Sequence, residues 1–323
     1  MTLPKLGIDV SKKTIAVALL RGDKVRHKSF ANSTTGFGLL QSWLIDHGVS
    51  HVHAVMEATG SYGDALAEFL FDAAHQVSIV NPAQVLAFAQ SELKRTKTDR
   101  VDAAVIARFA RSHEPQPWSP PPRELRELQV LVRHRESLLD HRNQLSNRLT
   151  EGRLIPSVAT SLETLIAAVD EEIKSVERQI REHIDQNPTL KTDLDLLKSI
   201  KGIGDQTAVQ LLAEIRQLHD YKSSRQVIAY AGLSPKNIVS GTSVRGRPRL
   251  SKIGNSRIRK ALYWPAITAL KHNPIVRALG ERLTERGKHS LVIIGAAMRK
   301  LLTLAYGVLK SGKPFDENYA QSC

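Results

Sequence analysis

Leu6-Gly-Ile-Asp-Val-Ser-Lys-Lys-Thr-Ile-Ala-Val-Ala-Leu-Leu20, continued through Arg21-Gly-Asp-Lys24 into Val25 to Phe30, is the stretch that decides the fold. Leu6, Ile8 and Val10 alternate with Gly7 and Asp9, the period-two pattern of a strand. Thr14 to Leu19 is a second apolar run that stops at the turn residues around Gly22-Asp23, and Val25 to Phe30 supplies a third strand. Asp9, Lys12 and Lys13 interrupt what would otherwise resemble a signal peptide. Working outward, a helix is predicted from about Thr35, with Phe37, Leu40, Trp43 and Leu44 on one face. His53 to Met56 and Val77 to Val80 are short strands, and Tyr62 to Ala74 is a helix between them. Asn81-Pro82 opens a further helix as an N-cap followed by proline at N1, and Asp99 to Ala110 forms another. Three leading strands followed by alternating helix and strand predict an α/β domain with a mixed sheet.

Four acidic residues fall at chosen points of this pattern: Asp9 in the first strand, Glu57 just past an apolar strand, and Asp99 and Asp102 at the start of a helix. Taken singly, the first two suit turns, and the last two suit the positive end of a helix dipole. Taken together they suit a metal site. Asp99 and Asp102 share a helix face, and a central first strand would bring Asp9 beside Glu57 under that face. Three or four hard oxygen ligands favour Mg²⁺, with Mn²⁺ as the alternative. Without a cation or a proton, their like charges would repel.

Ser112 to Pro122 holds five prolines in eleven residues and marks a boundary. From Arg123 to about Asn187 the pattern is helical. Leu162, Ile166, Val169, Ile173, Val176 and Ile180 make a coiled-coil seam, and Leu128, Leu131, Leu138, Leu145 and Leu149 make a looser one. A break near Gly152 and Pro156 predicts an antiparallel hairpin or an oligomerisation arm. Leu196 to Ala213 resembles a helix-hairpin-helix, in which Gly202 and Gly204 permit a tight turn and the next helix offers its N-terminus to a phosphate. Helices are expected from about Ser256 and over Ser290 to Leu309.

Lys plus Arg number 46 against 32 Asp plus Glu, a net charge of +14 that calls for a polyanionic partner. No stretch approaches 18 uninterrupted apolar residues, so a nucleic acid rather than a membrane is the expected partner. The only cysteine is Cys323, which excludes disulfides and thiolate metal sites within the chain and suits a cytoplasmic location. From Tyr221 to Gly280 there are twelve Lys or Arg and no acid. Arg245, Arg247, Arg249, Lys252, Arg257, Arg259 and Lys260 are the candidate phosphate contacts there. Lys94, Arg95 and Lys97 join them beside the acids.

GIDVSKKT, MEATGSYGDALAEFL, KRTKTDRVDAAVIARF, KSIKGIGDQTA and AYAGLSPKNIVSGTSVRGRPRLSKIGNSRIRKAL carry a resemblance over essentially the whole chain. It is similar to insertion-sequence transposases with a DEDD, RuvC-like N-terminal domain and a serine-bearing C-terminal domain, whose members are guided by a bridge RNA. The resemblance implies an RNase H-like (RuvC-like) α/β domain over residues 1–111 and a Pro-rich linker over 112–122. It implies a coiled-coil oligomerisation arm over 123–190 and a mainly α, serine-bearing nucleic-acid-binding domain over 191–323. It places the family's four acids on Asp9, Glu57, Asp99 and Asp102 and its serine on Ser240, with Ser243 the neighbouring alternative. It also implies donor and target DNA, a structured guide RNA, and dimers that assemble into tetramers.

The implied activity is excision and insertion of the element by metal-assisted serine attack on a phosphodiester. A serine hydroxyl is a poor nucleophile until activated, and the metal held by the acids would supply that activation or steady the phosphate. The covalent serine–DNA bond conserves energy for rejoining. A metal-dependent junction resolvase needs only the acids and water, and leaves Ser240 and the basic region unexplained. A non-catalytic nucleic-acid scaffold leaves the intact set of acids unexplained. Whether acids and serine are supplied by one chain or two is open at this stage.

Overall fold

The structure is a computed structural model that describes residues 3–58, 60–92, 98–215, 221–236, 239–240, 244–245 and 249–317. The chain divides into two compact units, residues 1–120 and 121–323.

The first unit is a five-stranded sheet in the order β3-β2-β1-β4-β5: β1 (Lys5–Val10), β2 (Thr14–Arg21), β3 (Lys24–Ala31), β4 (His53–Glu57) and β5 (Gln76–Val80). The first three pair antiparallel, while β4 and β5 run parallel to β1. β1 is therefore central. Its alternation splits the unit into two layers. Leu6 and Ile8 face α1 (Thr34–Asp46) and α2 (Asp64–Asp72), joining a core with Leu40, Leu44, Leu66 and Leu70. Gly7 faces the opposite layer, where α4 (Asp99–His113) crosses after α3 (Pro82–Ser91). On that side Ala16 and Ala18 of β2 meet Ala103, Ala104 and Ala107. A methyl on Gly7 would collide with the backbone of Ala103 and Ala107, so small residues on both surfaces let the helix lie directly on the sheet.

The Pro-rich stretch is more ordered than its composition predicts. Trp118 N–H donates to the Val77 carbonyl at 2.7 Å, adding a one-residue bridge beyond β5, and the indole packs edge-on against Phe71. Ser78 Oγ lies 2.7 Å from the Gln116 carbonyl. Beneath this strap is a buried polar chain, in which Lys5 Nζ lies 3.1 Å from His53 Nδ1 and His53 Nε2 lies 2.8 Å from Ser78 Oγ. The lysine ammonium can only donate, so Nδ1 accepts and the imidazole proton sits on Nε2.

In the second unit, α5 (Arg123–Thr150) and α6 (Pro156–Gln186) form an antiparallel hairpin. Arg135 pairs with Glu177, Arg142 with Asp170, and His183 with the Glu124 carbonyl, each step along one helix matched by a step back along the other. The seam residues Val176 and Ile180 are buried in one cluster with Leu128 and Val132, which gives the seam a partner within the chain, and Ile173 is buried as well. That core continues into α7 (Pro188–Lys198), α8 (Asp205–Glu214), α9 (Ser224–Tyr230), α10 (Ser256–His272), α11 (Pro274–Glu285) and α12 (Ser290–Ser311). By length and composition α12 alone among the described helices suits a bilayer, with a mean hydropathy of 1.6 over its most apolar window. In the fold it is a bundle helix whose Leu301, Leu302 and Ala305 are fully buried.

Four short strands escaped the sequence reading: β6 (Pro235–Lys236) pairs with β9 (Arg249–Leu250), and β7 (Val239–Ser240) with β8 (Val244–Arg245). Strands of two residues are too short for alternation to register. The signal available was Gly241 between runs ending and starting in valine. The α7–α8 turn forms as expected, but its glycine serves packing. Gly202, at φ 105°, lies where a side chain would press on Ala269 of α10. The N-terminus of α8 carries Asp205, paired with Lys198 at 2.6 Å, which lessens its appeal to a phosphate.

Candidate active site

β1 and β4 pair in parallel with Ile8 opposite Met56, so the next position along each strand sets Asp9 beside Glu57. Both follow the period-two alternation from Gly7 and Val55, the residues that face α4. The helix runs antiparallel to β1. At its C-terminal end Arg111 donates to the Gly22 carbonyl at 3.1 Å, and Glu114 stands 3.9 Å from Lys5 at the start of β1. Its first turn, which carries Asp99 and Asp102, therefore lies at the end where β1 and β4 finish. Thr98 caps that turn by accepting from Val101 N–H. Arg108 holds Glu92, the C-cap of α3, with a two-pronged contact at 2.9 and 2.9 Å, fixing α3 against α4.

The strand ends carrying Asp9 and Glu57 and the helix turn carrying Asp99 and Asp102 thus lie toward the same end of the sheet. Among the described residues, no three His, Cys, Asp or Glu side chains approach closely enough to hold one ion. Carboxylate oxygens are the donors that a hard divalent cation prefers. Lys94, Arg95 and Lys97, expected beside this site, lie outside the described residues, as do Ser243 and Arg247. Ser240 and Arg245 enter as backbone of β7 and β8, with Ser240 opposite Val244 at the end of its hairpin.

The remaining basic candidates divide in two. Arg249 and Lys252 are exposed. Arg257 and Lys260 meet Glu136 of α5 at 2.8 and 3.2 Å, and Lys260 also lies 3.5 Å from Asp140. Arg259 donates to the carbonyls of Ala231 and Gly254 at 2.8 and 3.2 Å, which makes it a brace for the α9–α10 connection. The acid-free segment receives its acids from helices distant in sequence. Glu214, fully buried in α8, is the deepest of them: it binds Arg133 at 2.9 Å and the α10 N-cap Asn255 at 2.7 Å. Its place as the last residue of α8, after Leu211-Leu212-Ala213, gave no signal in the sequence.

Away from the acids, burial pushes the His53 imidazole down to about 4, helped by the charge of Lys5, while Glu114 opposes the shift. Burial also lowers His75, with His51 contributing. These neutral imidazoles lie at the strand starts, at the far end of the sheet from Asp9 and Glu57.

A sheet with this order and a helix crossing its central strand define an RNase H-like, RuvC-like α/β unit, followed by a helical unit with a small β-hairpin. A DEDD-type family profile described as a transposase matches residues 6–152, and one described as the transposase IS116/IS110/IS902 family matches residues 194–281. The pilin gene-inverting protein of Moraxella bovis is 33% identical over 321 residues, covering 98% of this chain and 99% of the relative. The protein of the same name from Moraxella lacunata matches equally well. The transposase for insertion sequence element IS1328 of Yersinia enterocolitica is 23% identical, covering 78% and 82%. The chain belongs to the IS110/IS116/IS902 transposase family and is an enzyme of DNA recombination.

Proposed function

We propose that this chain cuts and rejoins DNA through a covalent serine intermediate, with Asp9, Glu57, Asp99 and Asp102 as the metal-holding set and Ser240 as the nucleophile. The observation that supports the reading is the register of β1 on β4, which pairs Ile8 with Met56, one position before Asp9 and Glu57 on parallel strands. A divalent ion held by these carboxylates would stabilise charge on the phosphate oxygens. Ser240 Oγ forms a bond to phosphorus as the bond to the leaving deoxyribose oxygen breaks; the serine proton departs and the leaving oxygen takes one up. Attack by a hydroxyl of a second strand then reverses the exchange and frees the serine, so no external energy source is needed. A structured RNA chooses the sites in this reading, and dimers pair into tetramers to hold both DNA partners.

The test is a DNA carrying a nick near the exchange point, which traps the intermediate. An adduct that needs Mg²⁺ or Mn²⁺, and is lost in Ser240→Ala, Asp9→Ala and Asp102→Ala while the proteins remain folded, is the expected result. An adduct surviving Ser240→Ala and mapping to Ser243 moves the nucleophile. Hydrolytic nicks without an adduct would make the enzyme a metal nuclease. Sequencing nucleic acid that copurifies with the protein tests the guide, for which one discrete RNA is expected.

The same chemistry closes an inversion as readily as a transposition. Two relatives matched along almost their full length are named for inverting a pilin gene. A reporter with two facing sites therefore belongs in the assay, with inverted product as a second expected outcome.

A further inference from the structure

The second unit contains a cleft of about 960 Å³ between α5, α8, α10 and α12 that the strand-exchange reading does not use. Trp264 stands on its wall with 72% of its surface exposed, beside Tyr263 in perpendicular ring contact at 5.5 Å. Leu291, 62% exposed, lines the same cleft, so apolar area is gathered there rather than scattered singly. Among the cleft residues five basic side chains face two acidic ones, Glu136 and Asp140. Arg257 and Lys260 are partly answered by those acids, and the exposed Lys252 lines the same cleft as the indole. Gln206 and Gln210 of α8 bring amides to the same space. Pro265, inside α10, has no N–H to offer the carbonyl of Ala261, and both residues line the cleft.

An open aromatic face, amide donors and acceptors, and net positive charge are what an unpaired nucleotide requires: a surface to stack on, groups to meet its base edge and a cation for its phosphate. Paired bases already stack on their neighbours and cannot use the indole. A second copy of this chain would set the same positive cleft near itself, which costs association energy. We infer that this cleft binds unpaired nucleotides, with Trp264 as the stacking platform and Lys252 as a phosphate contact. The strand can come from opened DNA or from single-stranded RNA, since stacking and phosphate contact are common to both. The inference rests on the chain acting on nucleic acid and on neither Ser240 nor metal, so failure of the strand-exchange chemistry would leave it standing.

The test uses the full chain without divalent metal and three probes of equal length: single-stranded oligothymidine, single-stranded oligouridine, and a duplex. Trp43 is buried and Trp118 half-buried, so quenching of tryptophan fluorescence reports chiefly on Trp264. Single strands are expected to quench it and the duplex to leave it unchanged. Trp264→Ala should weaken single-strand binding about tenfold or more and spare the duplex, while Trp264→Phe keeps most of the affinity. Lys252→Asn, which suits the left-handed backbone there (φ 56°), should weaken binding and reduce its salt dependence. Preference for oligothymidine or oligouridine identifies the source of the strand. Unchanged single-strand affinity in Trp264→Ala overturns the inference, and so does an equal loss on the duplex. Loss of self-association by light scattering with binding intact would instead make the indole a contact between copies.

Discussion

Gly7 is the residue on which the acidic site most depends without contributing a carboxylate. Its missing side chain lets α4 sit against β1, and α4 carries Asp99 and Asp102 to the end of the sheet that holds Asp9 and Glu57. Gly7→Ala should lower stability by about 1–3 kcal/mol, the range for overpacking, and reduce strand exchange further than the loss of folded protein accounts for. Thermal melts and activity per folded molecule check both parts. His53 contributes a pH dependence to stability. Its folded value of about 4 lies below the 6.5 of free imidazole, so between those values the unfolded chain binds more protons and stability falls as pH drops. Below about 4 both states are protonated and no more is lost to this group. The total is roughly 3 kcal/mol. His53→Asn, which keeps an acceptor for Lys5 but cannot charge, should flatten the loss seen in urea titrations between these pH values. An equally steep profile in the variant would assign the loss elsewhere, with His75 next in line because burial shifts it the same way.

At the scale of elements, α5 holds the second unit together through charge as well as its apolar seam. Arg133 reaches the buried Glu214 of α8, which in turn secures Asn255 at the start of α10. Arg133→Met leaves a buried carboxylate with one amide and a distant Arg257, at 4.0 Å. It should cost about 3 kcal/mol in urea unfolding. Arg142→Met, whose contact with Asp170 is far more exposed, should cost much less. Hydrophobic periodicity made nearly all the helices and the five main strands legible, because burying one face imposes a repeat on neighbouring residues. It could not show the strap through Trp118. Proline content excludes regular structure, but a bridge to Val77 and a ring against Phe71 are made with residues distant in sequence.

For the molecule as a whole, a charge of +14 makes salt the decisive variable in nucleic-acid binding. Neutralising Arg249 and Lys252 together should reduce the slope of log affinity against log salt by about 0.7 per contact on single strands. Neutralising Arg257 and Lys260 should change that slope less and lower the melting temperature more, because Glu136 and Asp140 already answer them. Equal slopes for the two double variants would show that the tertiary pairing does not withhold those cations. The difference between these pairs is invisible along the chain, where all four stand in one stretch without an acid.

Amino-acid order alone settled the five main strands and most of the helices, that the chain is strongly basic, and which four acids accompany the family's motifs. Those are properties of neighbouring residues, and they survive reading one segment at a time. Tertiary structure decided that β1 is central, that Asp9 and Glu57 share a face, and that α4 runs antiparallel to them. It also decided that the acid-free segment borrows Glu136, Asp140 and Glu214, and that Trp264 stays bare. Each depends on where the chain returns after tens of residues, which is set by packing of the whole core and leaves no local repeat to read.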